Sequence, residues 1–458
     1  METTSNKLMT NTVATAAALG LIDYDFNLLA KVLREHFGGA GKEKVGEDNV
    51  KAARAGFEYA RERVGRDFSL RIKPRSYERR MLLNGNEAVA LGAMAAGCKF
   101  VAGYPMTPST PILEFMADKG RPYGIVMVQP EDEIAAINMA VGAGFAGVRS
   151  MTATSGGGFA LMVEALSFAG ISETPVVIVL GQRPGPAVGL PTRTEQGELL
   201  FALHAGHGEF PRALLSPATV EDCFPVTVKA FNLAEKYQVP VIILTDHYLA
   251  SSYSTAERFD LSQVKIDRGL LLSEEEANEI ADYKRHQITE SGVSPRALPS
   301  VGKALVLTDS DEHDEAGHLI ESAEIRTQMV LKRLRKMNGL RDELSQPRVH
   351  EALNAEMTLI GWGSSYGAIM EAAGLLKEDG VAVNVLHLNE LWPFPTEAVS
   401  LALSNKSKNI VIESNATGQL AGLIRRETGI KVDGNVNRFD GRPISPRYIV
   451  NMLKKEVS

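Results

Sequence analysis

Residues 99–130 read KFVAGYPMTPSTPILEFMADKGRPYGIVMVQP, and this stretch decides the fold. It contains two short apolar runs, at 99–105 and 124–130, separated by a segment with helical spacing at 112–119. Short apolar strands that alternate with helices are typical of a parallel sheet covered on both faces. The loop between the first run and the helix is stiff, because each proline restricts its own backbone and that of the residue before it.

The same alternation extends from Met81 to about Asp246. It predicts helices over 85–97, 133–147, 158–170 and 220–236, and strands over 149–155, 175–181 and 239–246. We therefore predict an α/β domain over 80–250, built on a doubly wound parallel sheet. Ligands bind such sheets at the carboxyl ends of the strands. We thus expect the functional site in the loops 104–111, 129–133, 153–158 and 181–197.

Three other regions complete the predicted organisation. Residues 1–75 carry apolar residues at helical spacing and no strand, so we expect a short helical segment there. The predicted apolar face of its last helix contains Val50, Ala53, Phe57, Tyr59 and Ala60. Residues 251–350 are polar and turn-rich, and we expect an excursion and linker whose acidic patch at 309–318 is an exposed turn rather than a metal site. Residues 351–458 alternate again and predict a second α/β domain.

Composition excludes several classes of protein. The net charge of −7 argues against a nucleic-acid-binding protein. The longest apolar runs have the length of strands, and residues 1–10 lack a signal-peptide pattern, so we expect a cytoplasmic protein without a membrane span. Cys98 and Cys223 are the only cysteines. Two thiols cannot hold an iron–sulfur cluster or a structural zinc alone, so any redox centre is expected on another chain.

Acidic residues follow the predicted strand 124–130. Glu131, Asp132 and Glu133 stand just before a helix rich in glycine and alanine. Helix capping is the ordinary role of carboxylates in this position. The alternative is that one of them binds a ligand at the strand end. The turn at 152–158, TATSGGG, is interpreted as a place where backbone meets a ligand rather than as a phosphate loop, since no lysine accompanies it.

Two loops could bind a small anion. The hydroxyls of Thr107 and Ser109 are held in a rigid loop that suits a carboxylate, although a proline-bounded start of a helix explains the same pattern. Arg193, in a Gly/Pro-rich loop, could clamp a carboxylate with its planar guanidinium. Arg183 competes for that role, and a surface arginine is the other explanation. For His204 and His207 we expect a polar contact rather than a metal site.

Together these motifs resemble the alpha subunits of the 2-oxoacid:ferredoxin oxidoreductases. The resemblance is carried by GNEAVALGAMAAGCKFVAGYPMTPST (85–110), VQPEDEIAAINMAVGAGFAGVRSMTATSGGGFALM (128–162), GLPTRTEQGEL (189–199), DEHDEAGH (311–318), GWGSSYGAIMEA (361–372), LHLNELWPFP (386–395) and ESNATGQLAGLIRR (413–426). It implies a thiamine-diphosphate-binding domain of the pyrimidine type, followed by a domain like the transketolase C-terminal domain. It also implies oxidative decarboxylation of a 2-oxoacid to an acyl-CoA, or the reverse reductive carboxylation.

The resemblance further implies roles for individual residues. Glu133, with Glu131 as the alternative, would bind the aminopyrimidine ring of thiamine diphosphate, and Arg193 would clamp the substrate carboxylate. The substrate-facing loop would comprise Tyr104, Pro105, Thr107, Pro108 and Ser109, with Pro105 and Thr107 also next to the cofactor. No metal ligand is expected on this chain.

The resemblance implies partners as well. A beta subunit would carry most of the thiamine diphosphate, Mg²⁺ and a [4Fe–4S] cluster, in an (αβ)2 heterotetramer that reduces ferredoxin and uses coenzyme A. Residues 8–66 resemble only the tail of a gamma domain, so a separate gamma subunit is a further possible partner. The chain looks most similar to the 2-oxoglutarate branch, with pyruvate or branched-chain substrates as alternatives. A non-redox thiamine enzyme or a non-catalytic scaffold are the rival hypotheses. Arg183, His204, His207 and Lys99 stay open as anchors of a distal carboxylate.

Overall fold

A computed structural model describes residues 9–39, 41–64, 67–72, 79–404 and 407–457 of the chain. The chain divides into two compact units, Met1–Arg79 and Arg80–Ser458. Parts of the predicted helical segment 1–75, including residues 1–8, lie outside the described residues. In the described part, no helix combines the length and the apolar character needed to cross a bilayer.

The first unit is helical, as predicted. It contains α1 (Thr10–Leu21), α2 (Phe26–Phe37) and α3 (Glu43–Arg63). Helices α1 and α3 approach closely at Gly56. A Cβ added there would lie only 2.5 Å from the carbonyl oxygen of Val13, so the position requires glycine. The predicted apolar face of α3 is buried except for Tyr59, which is 59% exposed. Tyr59 was wrongly placed, because two residues span about 200° around a helix and point it away from Phe57.

The second unit alternates strands and helices. Its strands are β1 (Met81–Leu83), β2 (Phe100–Ala102), β3 (Val126–Val128), β4 (Ser150–Thr154), β5 (Val176–Gln182), β6 (Ala213–Leu215), β7 (Pro240–Asp246), β8 (Ser254–Ala256), β9 (Arg348–His350), β10 (Met357–Trp362), β11 (Val383–Leu388), β12 (Glu390–Trp392), β13 (Lys408–Glu413) and β14 (Gly434–Asn437). Its helices are α4 (Gly85–Ala95), α5 (Thr110–Lys119), α6 (Glu133–Phe145), α7 (Gly156–Leu161), α8 (Val163–Ile171), α9 (Leu199–His204), α10 (Val220–Tyr237), α11 (His247–Ser251), α12 (Glu274–Glu279), α13 (Ala323–Glu343), α14 (Tyr366–Glu378), α15 (Thr396–Leu403), α16 (Gln419–Thr428) and α17 (Pro446–Val457).

Seven strands form the main sheet, in the order β12-β6-β7-β5-β4-β2-β3. All neighbours are parallel except β12, which runs antiparallel to β6. The chain passes from β2 outward to β3 and then returns to β4 on the other side of β2. Such a reversal leaves a crevice outside the carboxyl ends of the strands. The loops after β2, β3 and β4 therefore meet at one place on the sheet.

Both faces of this sheet are buried, so the predicted doubly wound parallel sheet is confirmed. In β5, Val177 and Val179 pack into one hydrophobic core, and Ile178 and Leu180 pack into another. Alternate side chains of a strand point to opposite faces, so each face of β5 has its own core. The first core includes residues of α4 and α10, and the second includes residues of α6 and α8.

The second sheet has the order β14-β13-β10-β11-β9, with only β9 antiparallel to its neighbour. This confirms the predicted second α/β architecture. Its residues Trp362 and Leu386 share a core with the main sheet, and the following strand β12 joins the main sheet itself. The two sheets are therefore joined by a common core and by a donated edge strand.

Two secondary-structure predictions need correction. The helix predicted over 158–170 is two helices, α7 and α8, with a break at Met162. The region 251–350, interpreted as an excursion and linker, contains the 21-residue helix α13. Hydrophobic periodicity did not predict α13, because its buried residues include Lys332, Arg333 and Lys336.

Those buried cations have a buried counter-charge. The carboxylate of Glu173, wholly inaccessible to solvent, forms ion pairs with Lys332 and Lys336 and contacts Nδ1 of His286 at 3.0 Å. Burial alone would raise the pKa of Glu173, but the two lysines hold that pKa well below its usual range. Helix α13 is thus fixed to the core by ion pairs as well as by the buried apolar residues Met329 and Leu340.

Replacing Glu173 with glutamine should therefore destabilise the protein strongly. Two lysines would stay buried beside a neutral amide, which costs about 3–5 kcal/mol when one partner of a buried pair is removed. Thermal unfolding of the purified full chain measures this. Glu324→Gln, at an exposed position of the same helix, is the control and should change the unfolding temperature little. Equal unfolding temperatures for the two variants would contradict the assigned role of Glu173.

Candidate functional site

The three acidic residues after β3 have different environments. Glu131 is exposed, and Asp132 caps helix α6 by accepting a hydrogen bond from the backbone N–H of Ala135 at 2.8 Å. Glu133 is the first residue of α6 and is only 4% exposed. Capping therefore explains Asp132 but not Glu133, whose carboxylate is buried beside Gly158.

The Glu133 carboxylate is not fully hydrogen-bonded. Its Oε1 atom is buried and has no hydrogen-bond partner among the described residues. It lies next to Gly158, where an added Cβ would come within 2.6 Å of Oε1. A buried acceptor without a partner costs about 1–3 kcal/mol. Such an atom fits a site in which a bound group donates a hydrogen bond to Glu133.

Two more buried atoms of this kind lie at the turn Ser155–Gly158, which follows β4 and includes the start of helix α7. The hydroxyl oxygen of Ser155 and Oε2 of Glu198 are buried and lack hydrogen-bond partners in the described structure. A Cβ at Gly156 would overlap Oε1 of Glu198. Buried polar atoms are normally satisfied. Three unsatisfied oxygens, including that of Glu133, around one four-residue turn therefore mark this turn as ligand-facing.

The loop after β2 is anchored at its second half. The Ser109 hydroxyl donates to the carbonyl oxygen of Thr154 at 2.7 Å, and the Asn86 amide donates to the carbonyl oxygen of Pro108 at 2.8 Å. A Cβ at Gly181 would lie 2.9 Å from Cγ of Pro108, so the loop packs directly on β5. Pro108 and Ser109 are buried by these contacts and position the loop.

The first half of that loop faces outward. Tyr104 is 38% exposed, Pro105 is exposed, and Thr107 is half-buried. The peptide bond between Thr107 and Pro108 is cis. Among the residues predicted for substrate contact, these three can reach a ligand directly, whereas the hydroxyl of Ser109 is already used within the protein.

The charges of both candidate arginines act on His247. Arg183 is buried and donates from Nη1 to the carbonyl oxygen of Thr107 at 2.7 Å. Arg193 is exposed and lies over Gly441, where a Cβ would meet its own Cβ at 3.1 Å. Burial lowers the pKa of His247, and the charges of both arginines lower it further. The structure thus brings Arg183 to the loop after β2 and both arginines near the carboxyl end of β7.

The loop that carries the arginines is fixed to the second sheet through Gln196. Its backbone N–H donates to the carbonyl oxygen of Ser414 at 2.6 Å, and its side-chain amide donates to that of Trp362 at 3.0 Å. The Asn415 amide donates to the carbonyl oxygen of Gln196 at 3.2 Å. The second sheet therefore helps to hold the position of Arg193 and Glu198.

Three other predicted candidates lie elsewhere. The ring of His204 contacts Nη1 of Arg426 at 2.9 Å, and His207 is exposed on the loop after α9. Lys99 precedes β2 and donates to the carbonyl oxygen of Tyr123 at 2.6 Å, so it lies at the opposite end of the strand from the loop. These contacts do not favour any of the three as an anchor for a substrate carboxylate.

The acidic patch 309–318 is not simply an exposed turn. Glu312 forms ion pairs with Arg326 and Arg333, and the fully buried ring of His313 lies 4.1 Å from that of His286. The exposed-turn interpretation was wrong for Glu312 and His313, because both pack against the α13 region. In the described part of the chain, no three His, Cys, Asp or Glu side chains are grouped as metal ligands.

Glu198 and His247 were not predicted as site residues. His247 directly follows β7, so its position at a strand end was a usable signal. Glu198 follows a Gly/Pro-rich loop, and only the folded chain places its carboxyl against Gly156. The periodicity of the sequence contains no information about that contact.

Three family models together match most of the chain. Residues 91–332 match a family model described as pyruvate flavodoxin/ferredoxin oxidoreductase, thiamine diphosphate-binding. Residues 355–449 match pyruvate:ferredoxin oxidoreductase core domain II, and residues 1–59 match pyruvate ferredoxin/flavodoxin oxidoreductase.

Individual relatives are similar over most of their length. The chain is 37% identical to 2-oxoacid:ferredoxin oxidoreductase 2, subunit alpha, of Aeropyrum pernix, over 97% of this chain and 71% of that protein. It is 36% identical to 2-oxoglutarate synthase subunit KorA of Methanothermobacter thermautotrophicus, over 81% of this chain and 98% of that protein. A solved 2-oxoglutarate:ferredoxin oxidoreductase from Magnetococcus marinus, with 2-oxoglutarate, coenzyme A and succinyl-CoA bound, is 37% identical with a TM-score of 0.91, over 98% of this chain and 78% of that chain.

The space beside Glu133 can be tested by filling it. Gly158→Ala should lower the thermal unfolding temperature of the full chain, because the new methyl group would press on the Glu133 carboxylate and the Thr154 side chain. Overpacking of this kind costs about 1–3 kcal/mol. Gly157→Ala is the matched control, since the nearest atom to its Cβ is 4.0 Å away. If both variants unfold at the wild-type temperature, the close approach of Glu133 to Gly158 is wrong.

Proposed function

The chain belongs to the alpha subunits of the 2-oxoacid:ferredoxin oxidoreductases, and we propose that it converts 2-oxoglutarate to succinyl-CoA within that enzyme, with Glu133 in a shared thiamine diphosphate site. The observation that carries this proposal is the buried, unpartnered Oε1 of Glu133 beside Gly158 at the crevice of the main sheet. The family's thiamine-diphosphate-binding domain covers the same residues.

The residues present fit the pyrimidine half of the cofactor. When bound, thiamine diphosphate supplies the nucleophilic carbon and the electron sink that decarboxylation of a 2-oxoacid needs. Oε1 of Glu133 would accept a hydrogen bond from the protonated ring nitrogen of the aminopyrimidine and so keep that proton in place. Because Gly158 lacks a side chain, the ring could approach the carboxylate closely. Pro105 and Thr107 would border the same pocket from the loop after β2.

The substrate would bind between that loop and the arginines. Arg183 and Arg193 would attract its carboxylates, and a buried guanidinium binds a carboxylate through two parallel hydrogen bonds. Tyr104 and Thr107 would contact it directly, since they form the outward half of the loop. Pro108 and Ser109 would act as positioning residues, because their contacts hold the loop on β5 and β4.

Electron transfer would take place on a partner. Cys98 and Cys223 are both buried, and burial raises the pKa of the Cys98 thiol to about 12, so neither is suited to ligate a cluster. We propose that a beta subunit holds the [4Fe–4S] cluster, Mg²⁺ and the diphosphate end of the cofactor in an (αβ)2 complex. This complex would act in the cytoplasm, with coenzyme A as co-substrate, ferredoxin as electron acceptor and a separate gamma subunit as a further partner.

The substrate assignment can be tested with the co-expressed complex. We expect 2-oxoglutarate with coenzyme A to bleach the iron–sulfur absorbance of the complex. Pyruvate and 2-oxoisovalerate should do so with a kcat/KM lower by about tenfold or more, the scale of one lost carboxylate contact. Preferential bleaching by another 2-oxoacid would reassign the substrate, whereas no bleaching by any of them would favour the rival of a non-redox enzyme or a scaffold.

The role of Glu133 separates a catalytic subunit from a scaffold. Glu133→Gln and Arg193→Ala should each lower kcat/KM of the complex by at least about tenfold, because each removes a contact to the cofactor or the substrate. Glu133→Gln should also weaken thiamine diphosphate binding, which titration of the cofactor measures. Glu131→Gln, exposed and two residues away, is the control and should retain wild-type values. Wild-type activity in both site variants would support the scaffold alternative.

A further inference from the structure

Glu198 is fixed at the sheet edge by its backbone. Its N–H donates to Oε1 of Gln182 at 3.1 Å, and the amide of Gln182 donates in turn to the carbonyl oxygen of Thr245 at 3.2 Å. Gln182 ends β5, and Thr245 lies near the end of β7. Glu198 is therefore held at the carboxyl edge of the main sheet, where ligands of such sheets bind.

The Glu198 carboxyl points to the ligand-facing turn. Its Oε1 occupies the space that a side chain at Gly156 would fill, and its Oε2 is buried without a hydrogen-bond partner in the described structure. The Glu133 carboxylate makes the corresponding close approach at Gly158, two residues after Gly156. The turn thus lies between two carboxyl groups, each with one unsatisfied oxygen.

The charges that act on Glu198 are those of Glu195 and Arg183. Burial and repulsion from the Glu195 carboxylate raise the pKa of Glu198 to about 8, although the attraction of Arg183 opposes this shift. The carboxyl group therefore carries its proton at neutral pH. A protonated carboxyl is a hydrogen-bond donor, whereas an ionised one only accepts and would repel an anionic ligand.

This inference rests on the proposed function. We propose that Glu198 contacts the substrate and donates a hydrogen bond from Oε2 to a carboxylate oxygen of the 2-oxoacid that Arg183 binds. Arg183 is the link between the two groups: it acts on Glu198 and also donates to the carbonyl oxygen of Thr107 in the substrate-facing loop. A dicarboxylate brings one carboxylate more than pyruvate does, and a donor beside an arginine suits that additional group.

The test compares Glu198→Gln and Glu198→Ala in the complex with the beta subunit, at saturating coenzyme A. Glutamine keeps a neutral donor at every pH. Its KM for 2-oxoglutarate should stay within about threefold of the wild-type value at about pH 7 and should not rise toward pH 9. The wild-type KM should rise about tenfold between these pH values, as Glu198 ionises. Glu198→Ala should raise KM about tenfold at neutral pH, with a smaller change in kcat.

A second readout does not depend on the loaded enzyme. The raised pKa means that the folded chain binds a proton that the unfolded chain has lost, so the stabilising contribution of Glu198 is full below its ordinary pKa and disappears as the pH rises through about 8. The unfolding temperature of the full chain should therefore fall, relative to that of Glu198→Gln, between about pH 5 and about pH 9. The variant Glu209→Gln, at an exposed carboxyl on a nearby loop, should instead follow the wild type.

The possible results separate the two proposals. If the complex is active and both Glu198 variants keep the wild-type KM and its pH dependence, Glu198 does not contact the substrate, and the proposed function stands. If glutamine behaves like alanine, the neutral donor is wrong as well. If the wild-type complex acts on no 2-oxoacid, the proposed function fails and this inference fails with it, whatever the unfolding temperatures are. Should Glu198→Ala not fold, the KM of Glu198→Gln across the pH range still decides the question.

Discussion

Parallel strands place all their carboxyl ends at one edge of a sheet, and the rest of this structure depends on that constraint. The reversal of strand order between β2 and β4 opens the edge, so that the loops after β2, β3 and β4 bring Thr107, Glu133 and Ser155 together. These residues are distant in sequence. Only the parallel pairing of their strands makes them neighbours.

The apolar signal of the sequence predicts most of the main sheet, because nothing but burial on both faces explains runs such as residues 176–180. This signal does not predict a helix whose buried side chains are charged. Helix α13 packs Lys332 and Lys336 onto Glu173, and a lysine that is buried looks in sequence like one that is exposed. The same limit applies to the candidate site. The position of Glu133 at a strand end was predictable, but the contact of Glu198 with Gly156 arises only when the loop 181–198 folds back on the turn after β4.

Buried charge has opposite consequences in the two places. At Glu173 one buried carboxylate forms ion pairs with two lysines, and these pairs attach α13 to the core. At the ligand-facing turn the oxygens of Glu133, Ser155 and Glu198 have no partners among the described residues. Such atoms destabilise the folded chain unless a ligand satisfies them. The chain therefore keeps its stability in the α13 region and its binding capacity at the sheet edge.

The second sheet supports the candidate site, although none of the proposed site residues lies in its strands. The loop carrying Arg193 and Glu198 has few apolar residues with which to fix itself, and Gln196 attaches it to Trp362 and Ser414 instead. Hydrogen bonds to a rigid neighbouring sheet place a polar loop more accurately than contacts within the loop could. The loop that carries Arg193 is thus attached through Gln196 to residues 166 and 218 positions further along the chain, and a site of this kind requires both sheets to fold as one unit.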